Sequence, residues 1–277
     1  MVKSDIDVEL SGKITIADIR GLHVKGPIHE LKITKSSTLT VELTRPLPSL
    51  QSVEQLWLWC DVTRSAMRNV VRIPGLRVLD ILAIKFPGRL ENFAGASSLE
   101  IFRANHYLSE DDVLEVLNCA SLQEVGIQGA TLSSRVIAKV LTHPFLSALD
   151  IERTEFDDSM AEIISTSKQI HTLHVGATKI TGAGLAYLCN MRQLKVLDLW
   201  ATQITIDDLD ILTRLPHLEY LSLGNFDHMP TFNGAELIQK LEKFPSLKNI
   251  WLDGIDLDEK QIKRLRTRFE NVRVSCV

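Results

Sequence analysis

Asp150, His174 and Asp198 stand at intervals of 24 residues, and Glu152 follows two residues after the first. Carboxylates alternating with an imidazole can do two kinds of chemistry. They can ligate a cation, or they can pass a proton between groups of different basicity. Either needs the three side chains to meet. That happens if each sits at the same position on one of three neighbouring parallel strands, where side chains stand ~5 Å apart. The plainer reading of the row is that His174 separates two acids and relieves their repulsion. Catalysis also gains from excluded water, which an open strand surface does not provide. No catalytic residue, metal ligand or cofactor is assigned on this basis. Other chemical motifs are missing: the chain has no G-x-x-x-x-G-K-S/T, no G-x-S-x-G and no H-E-x-x-H.

The same interval runs through most of the chain. Leu122, Leu146, Ile170, Leu194 and Leu218 succeed one another every 24 residues. The spacing is 23 back through Leu99, Leu76 and Val53, and Ile28 lies 25 before that. It widens to 29 at Leu247, with the excess in Phe226 to Gly234. Ten units result, each opening L-x-x-L-x-L or a variant of it. Apolar residues at positions 1, 4 and 6, with polar or mixed residues at 3 and 5, predict a strand with one buried face. Position 9 is Thr154, Thr178 and Thr202 in three successive units, and position 11 is Leu132, Phe156, Ile180 and Ile204. Ser133, Asp157, Thr181, Thr205 and Asp258 at position 12 predict helix N-caps. Apolar residues such as Leu209, Leu212 and Leu215 then follow at helical spacing. Each unit reads strand, turn, capped helix. A fixed period of this length marks a solenoid.

These phased positions resemble the leucine-rich repeat family, with strand–helix units of the ribonuclease-inhibitor kind and Thr where many members carry Asn at position 9. The resemblance covers roughly residues 28–265. It implies an α/β solenoid with a curved parallel sheet on the concave face and helices on the convex face. Polar strand positions 3, 5 and 7 would then face the concave surface. It implies no chemistry, because the family's motif residues are structural.

A solenoid needs caps over its end units. Residues 1–50 alternate in "DIDVEL", "KITIADI" and "TLTVEL", which predicts a β-rich N-terminal cap with a first degenerate repeat. Repeats are expected over 51–257. A cap over 258–277 would combine a helix from Asp258 to Phe269, with Ile262, Leu265 and Phe269 inward, and the strand "VRVSC". Cys60, Cys119, Cys189 and Cys276 form no C-x-x-C pair. With no apolar leader at the N-terminus, this favours reduced thiols in the cytoplasm. A formal net charge of −4 without a Lys/Arg block argues against nucleic acid, and no apolar run suits a membrane.

The candidate site comes from placing the large and charged residues on this frame. Trp57 and Trp251 fall at position 5, Trp59 and Trp200 at position 7, and Tyr220 at position 3, expected to pack between Trp200 and Trp251. Exposed aromatics are the residues that dominate binding hot spots. Acids outnumber bases at positions 3, 5 and 7: Glu30, Asp80, Glu124, Asp150, Glu152, Asp198 and Asp253 face Lys32 and Arg103. The predicted partner-binding face is Trp57, Trp59, Asp80, Arg103, Asp150, Glu152, His174, Asp198, Trp200, Tyr220, Trp251 and Asp253. It suits a basic protein clasped by a chain that is monomeric when free, as a stoichiometric inhibitor or immunity-type protein would do. An adaptor or effector scaffold and a carbohydrate-binding solenoid are the alternatives. An enzyme is the weakest reading.

Overall fold

The computed structural model describes residues 6–35, 38–50, 53–82, 89–105, 107–224 and 232–275. The chain forms two compact units: Met1–Thr131 with His143–Leu146, and Leu132–Thr142 with Ser147–Val277. Each is a run of leucine-rich repeats.

In the first unit, strands β1 (Ile6–Ser11), β2 (Ile28–Thr34), β3 (Val53–Trp59), β4 (Val78–Ile81), β5 (Ile101–Ala104) and β6 (Glu124–Gly126) pair in chain order, all parallel. Between them lie α1 (Ile16–Gly21), α2 (Val41–Thr44), α3 (Arg64–Val70), α4 (Glu110–Val116) and single 3-10 turns. Thr15, Thr40, Thr63 and Ser109 cap the four helices. Positions 4 and 6 of β3, Leu56 and Leu58, are fully buried, while Trp57 between them is partly exposed. Phe93 and Phe102 fill the core of the unit edge to face.

The sequence reading departs from the structure in residues 1–50. "DIDVEL" contains a strand, but "KITIADI" and "TLTVEL" do not. Thr15 accepts from the Asp18 N–H while Asp18 accepts from the Thr15 N–H, a reciprocal cap that starts α1. Ile19 is its buried residue, and Leu22, just past its end, is buried as well. In "TLTVEL" only Leu39 bridges to a neighbour, and Thr40 then caps α2. Capping hydroxyls outweighed a short β-like alternation.

The second unit holds α5 (Ser134–Leu141), β7 (Ala148–Asp150), α6 (Asp158–Ile164), β8 (Thr172–His174), α7 (Gly182–Leu188), β9 (Val196–Asp198), β10 (Tyr220–Gly224), α8 (Gly234–Leu241), β11 (Asn249–Asp253), α9 (Glu259–Arg268) and β12 (Asn271–Ser275). Its strands are again parallel and in chain order from β7 to β12. Ser133, Asp157, Thr181 and Asp258 cap their helices as predicted. Thr205 does not. Its amide and hydroxyl both donate to Asp208, and residues Asp207–Arg214 form a 3-10 helix. Leu209, Leu212 and Leu215 recur every three residues and all are buried, which suits three residues per turn better than 3.6. In the last helix Leu265 and Phe269 are buried, whereas Ile262 is only half-buried.

One device recurs after the strands. Arg153, Ala177 and Ala201, at position 8, take left-handed φ of 57°, 52° and 52°. Their amides donate to the carbonyls of Gly176, Trp200 and Gly224 in the next repeat. Thr154, Thr178 and Thr202 follow, and each hydroxyl donates to the position-6 carbonyl at 2.7–2.8 Å. This buried threonine ladder satisfies carbonyls that the turn turns away from the sheet.

Cys60, Cys119 and Cys189 are buried free thiols. Burial pushes Cys60 up to about 12 and Cys189 to about 11, so neither is a nucleophile. Cys276, His106 and most of the 226–234 insert lie outside the described residues.

Candidate functional site

The predicted residues separate into two groups, one in each unit. In the first unit, Trp57 and Trp59 project from β3 with ring centroids 6.1 Å apart, edge to face. Trp59 is 42% exposed, and the Lys32 ammonium lies 5.8 Å from the Trp57 ring. Register places Lys32, Trp57, Asp80 and Arg103 side by side across β2 to β5. The charges there are largely spent within the unit. Lys32 pairs with Glu30 at 2.6 Å and Arg103 with Glu124 at 2.6 Å. Burial raises the Asp80 carboxyl above its usual range, with Arg103 opposing and Glu124 adding to the rise.

In the second unit, Asp150, His174, Asp198, Ser222, Trp251 and Arg273 occupy one row across β7 to β12. The predicted row of Asp150, His174 and Asp198 therefore exists, but its chemistry is not shared evenly. Asp150 accepts from the Glu152 amide and Asp198 from the Trp200 amide, at 3.1 and 2.8 Å. Both carboxylates thus brace the turns that carry the position-7 residues. His174 Nδ1 lies 3.8 Å from Asp198 Oδ2 and 4.0 Å from Glu152 Oε1. Among the described residues, Glu152, His174 and Asp198 form a group that could hold a divalent ion, each offering a ligand atom within 4.8 Å of the others.

The same surroundings favour protonation of the cluster. Burial, then the charges of Asp150 and Asp198, push Glu152 up to about 7, against the pull of His174 and Arg153. Burial alone would lower His174, but the Asp198 contact and the charges of Asp150, Asp198 and Glu152 outweigh it and raise it. The folded state therefore binds protons that the unfolded chain releases. This contribution to stability is complete below the ordinary glutamate pKa of ~4.3 and is lost as pH rises through about 7. Its size is on the order of 2 kcal/mol for a partly exposed, coupled group. Glu152→Gln, which mimics the protonated acid, should gain on the wild type in urea titrations between pH 5 and 8. Parallel curves for the two proteins would contradict this.

Trp200, just beyond the end of β9, and Trp251, on β11, flank the part of β10 that carries Ser222 and Gly224. They wall a hollow of 220 Å³ that has Ser222 at its base and Glu152, Asp198, Asp253 and Arg153 around it. Gly224 has a steric reason. A Cβ there would collide with the Asp253 carbonyl oxygen and stand 2.8 Å from Trp200 Cδ1. Gly224→Ala should cost about 1–3 kcal/mol by forcing β11 and the indole aside. An unchanged thermal midpoint would show that the indole does not cross this strand.

Tyr220 does not pack between the two indoles. It lies two residues before Ser222 and shares a second hollow, of 470 Å³, with Trp251 and Arg273. The Arg273 guanidinium sits 4.2 Å over the Trp251 ring. Burial pushes the Tyr220 hydroxyl up to about 12. Arg153 and Arg273 were both missed from sequence. Arg153 stands in the turn and Arg273 in the last strand, outside the counted positions. Four carboxylates thus meet two arginines on this face, which is less acidic than the sequence count implied.

The repeat units, parallel strands and capped helices define a leucine-rich repeat solenoid. No family model matches the chain and no curated protein matches it. Solved structures do. An internalin (inlF) from Listeria monocytogenes aligns over 94% of this chain and 71% of its own, with 17% identity and a TM-score of 0.56. Internalin C2 (inlC2) from the same organism aligns over 66% of this chain and 82% of its own, with 12% identity and a TM-score of 0.43. The first likeness supports the fold; identity this low says nothing further. Among the described residues no helix is long and apolar enough to cross a membrane.

Proposed function

We propose that the chain is a protein-binding module that clasps a basic partner on the sheet face of its second unit, as a stoichiometric inhibitor or immunity-type protein would. The observation that carries this is the Trp200–Trp251 hollow, where two partly exposed indoles stand among three carboxylates. Aromatic anchors ringed by charge are the anatomy of a binding hot spot, and acidic groups favour basic partners and fast encounter. The free thiols of Cys60, Cys119 and Cys189 fit a reducing compartment, the cytoplasm.

The test is capture from lysate on immobilised protein, followed by mass spectrometry. Wild type should retain a basic protein at low salt and release it as salt rises, because screening shortens to ~3 Å at 1 M. Asp253→Lys should weaken retention, whereas Lys139→Glu on α5 should not. Retention that depends on Lys139 and ignores Asp253 would place the interface elsewhere.

A further inference from the structure

We propose that the hollow between Trp200 and Trp251 receives a single arginine side chain of the partner protein; this rests on reading the sheet face of the second unit as the binding surface. Size is the first argument. At 220 Å³ the hollow is below the ~300–1,000 Å³ of small-molecule sites. That leaves room for a guanidinium and its stem.

Shape is the second. The walls rise on either side of β10, Trp251 from β11 and Trp200 from just beyond the end of β9. Trp200 leans across Gly224. Among the described residues, the strand between contributes only the hydroxymethyl group of Ser222 and a glycine, Gly224.

Charge is the third. Glu152, Asp198 and Asp253 line the hollow from three different repeats. A guanidinium presents five N–H donors in a rigid plane and can meet several such acceptors while its faces stack. An ammonium is a point charge and cannot do both. The chain already lays one guanidinium, that of Arg273, over Trp251 beside the second hollow. Arg153 is the opposing charge at the rim.

The test is titration of the folded protein with acetyl-Gly-Arg-Gly-amide, read from the indole N–H resonances of Trp200 and Trp251. Saturable shifts in the millimolar range are expected. The lysine peptide should bind at least about threefold more weakly, and the neutral, isosteric citrulline peptide should produce no shift. Trp251→Ala should abolish the response at the Trp200 indole. Arg153→Ala should tighten binding, and Lys139→Glu should leave it unchanged. Equal shifts from arginine and citrulline would overturn the proposal, as would no shift at either indole with arginine. Those failures are separable from failure of the function above. A partner still captured through Asp253 with no arginine response refutes the arginine slot alone. An arginine response with no captured protein refutes the protein-binding reading alone.

Discussion

Leu197→Asp unfolds the second unit. Leu197 is fully buried at the centre of β9, in register with Leu173 of β8 and Leu221 of β10, both also fully buried. A carboxylate there has no partner and no water. Uncompensated burial of a charge costs about 3–5 kcal/mol, against a total stability of about 5–15 kcal/mol for a protein domain. A repeat array passes such a loss to its neighbours, because each unit's core is completed by the next. Amide-exchange protection should collapse across β7 to β12, and the folded fraction should drop in circular dichroism at 25 °C. Leu197→Met, which keeps volume and polarity, should cost less than ~1.5 kcal/mol. If Leu197→Asp kept wild-type protection in β8 and β10, position 4 would not face the core.

Trp200→Ala, by contrast, should spare the fold and remove the binding. The indole is partly exposed, and the hollow it walls opens to solvent. Truncation of a hot-spot aromatic costs about 2–4 kcal/mol of affinity, or roughly 30- to 1,000-fold in Kd. The captured partner should therefore bind at least ~30-fold more weakly by calorimetry, while the thermal midpoint moves by only a few degrees. A large drop in the midpoint with affinity intact would make the indole a structural plug over Gly224. The contrast between Leu197 and Trp200, three residues apart on one repeat, tests the register as a whole.

That register is legible in the order of the residues themselves. Positions 1, 4 and 6 recur too often to fit anything but stacked strands, because burying one face of each strand forces apolar residues into a fixed phase. The partial exposure of all four tryptophans follows from the same phase. So do the caps at Ser133, Asp157, Thr181 and Asp258, where a short polar side chain has one local task. Local signals fail where two of them compete over a few residues, as in "KITIADI", where alternation and a capping threonine point to different elements.

What the tertiary structure decided is which side chains meet. Strand phase puts Glu152, His174 and Asp198 on one surface and register sets Asp198 beside His174, but the turn at Arg153 is what brings Glu152 to within 4.0 Å of the imidazole, and the turn at Ala201 is what carries Trp200. The left-handed backbone of those turns sits on arginine and alanine, residues that carry no sequence signal for it. It is held by hydrogen bonds to the next repeat and by the threonine ladder. The place of Gly224 between two indoles, and of Arg273 over Trp251, depends on contacts between residues 22 to 29 apart in the chain. Periodicity specifies which face a residue takes. The gap or charge it finds there depends on what its neighbours on adjacent strands leave open.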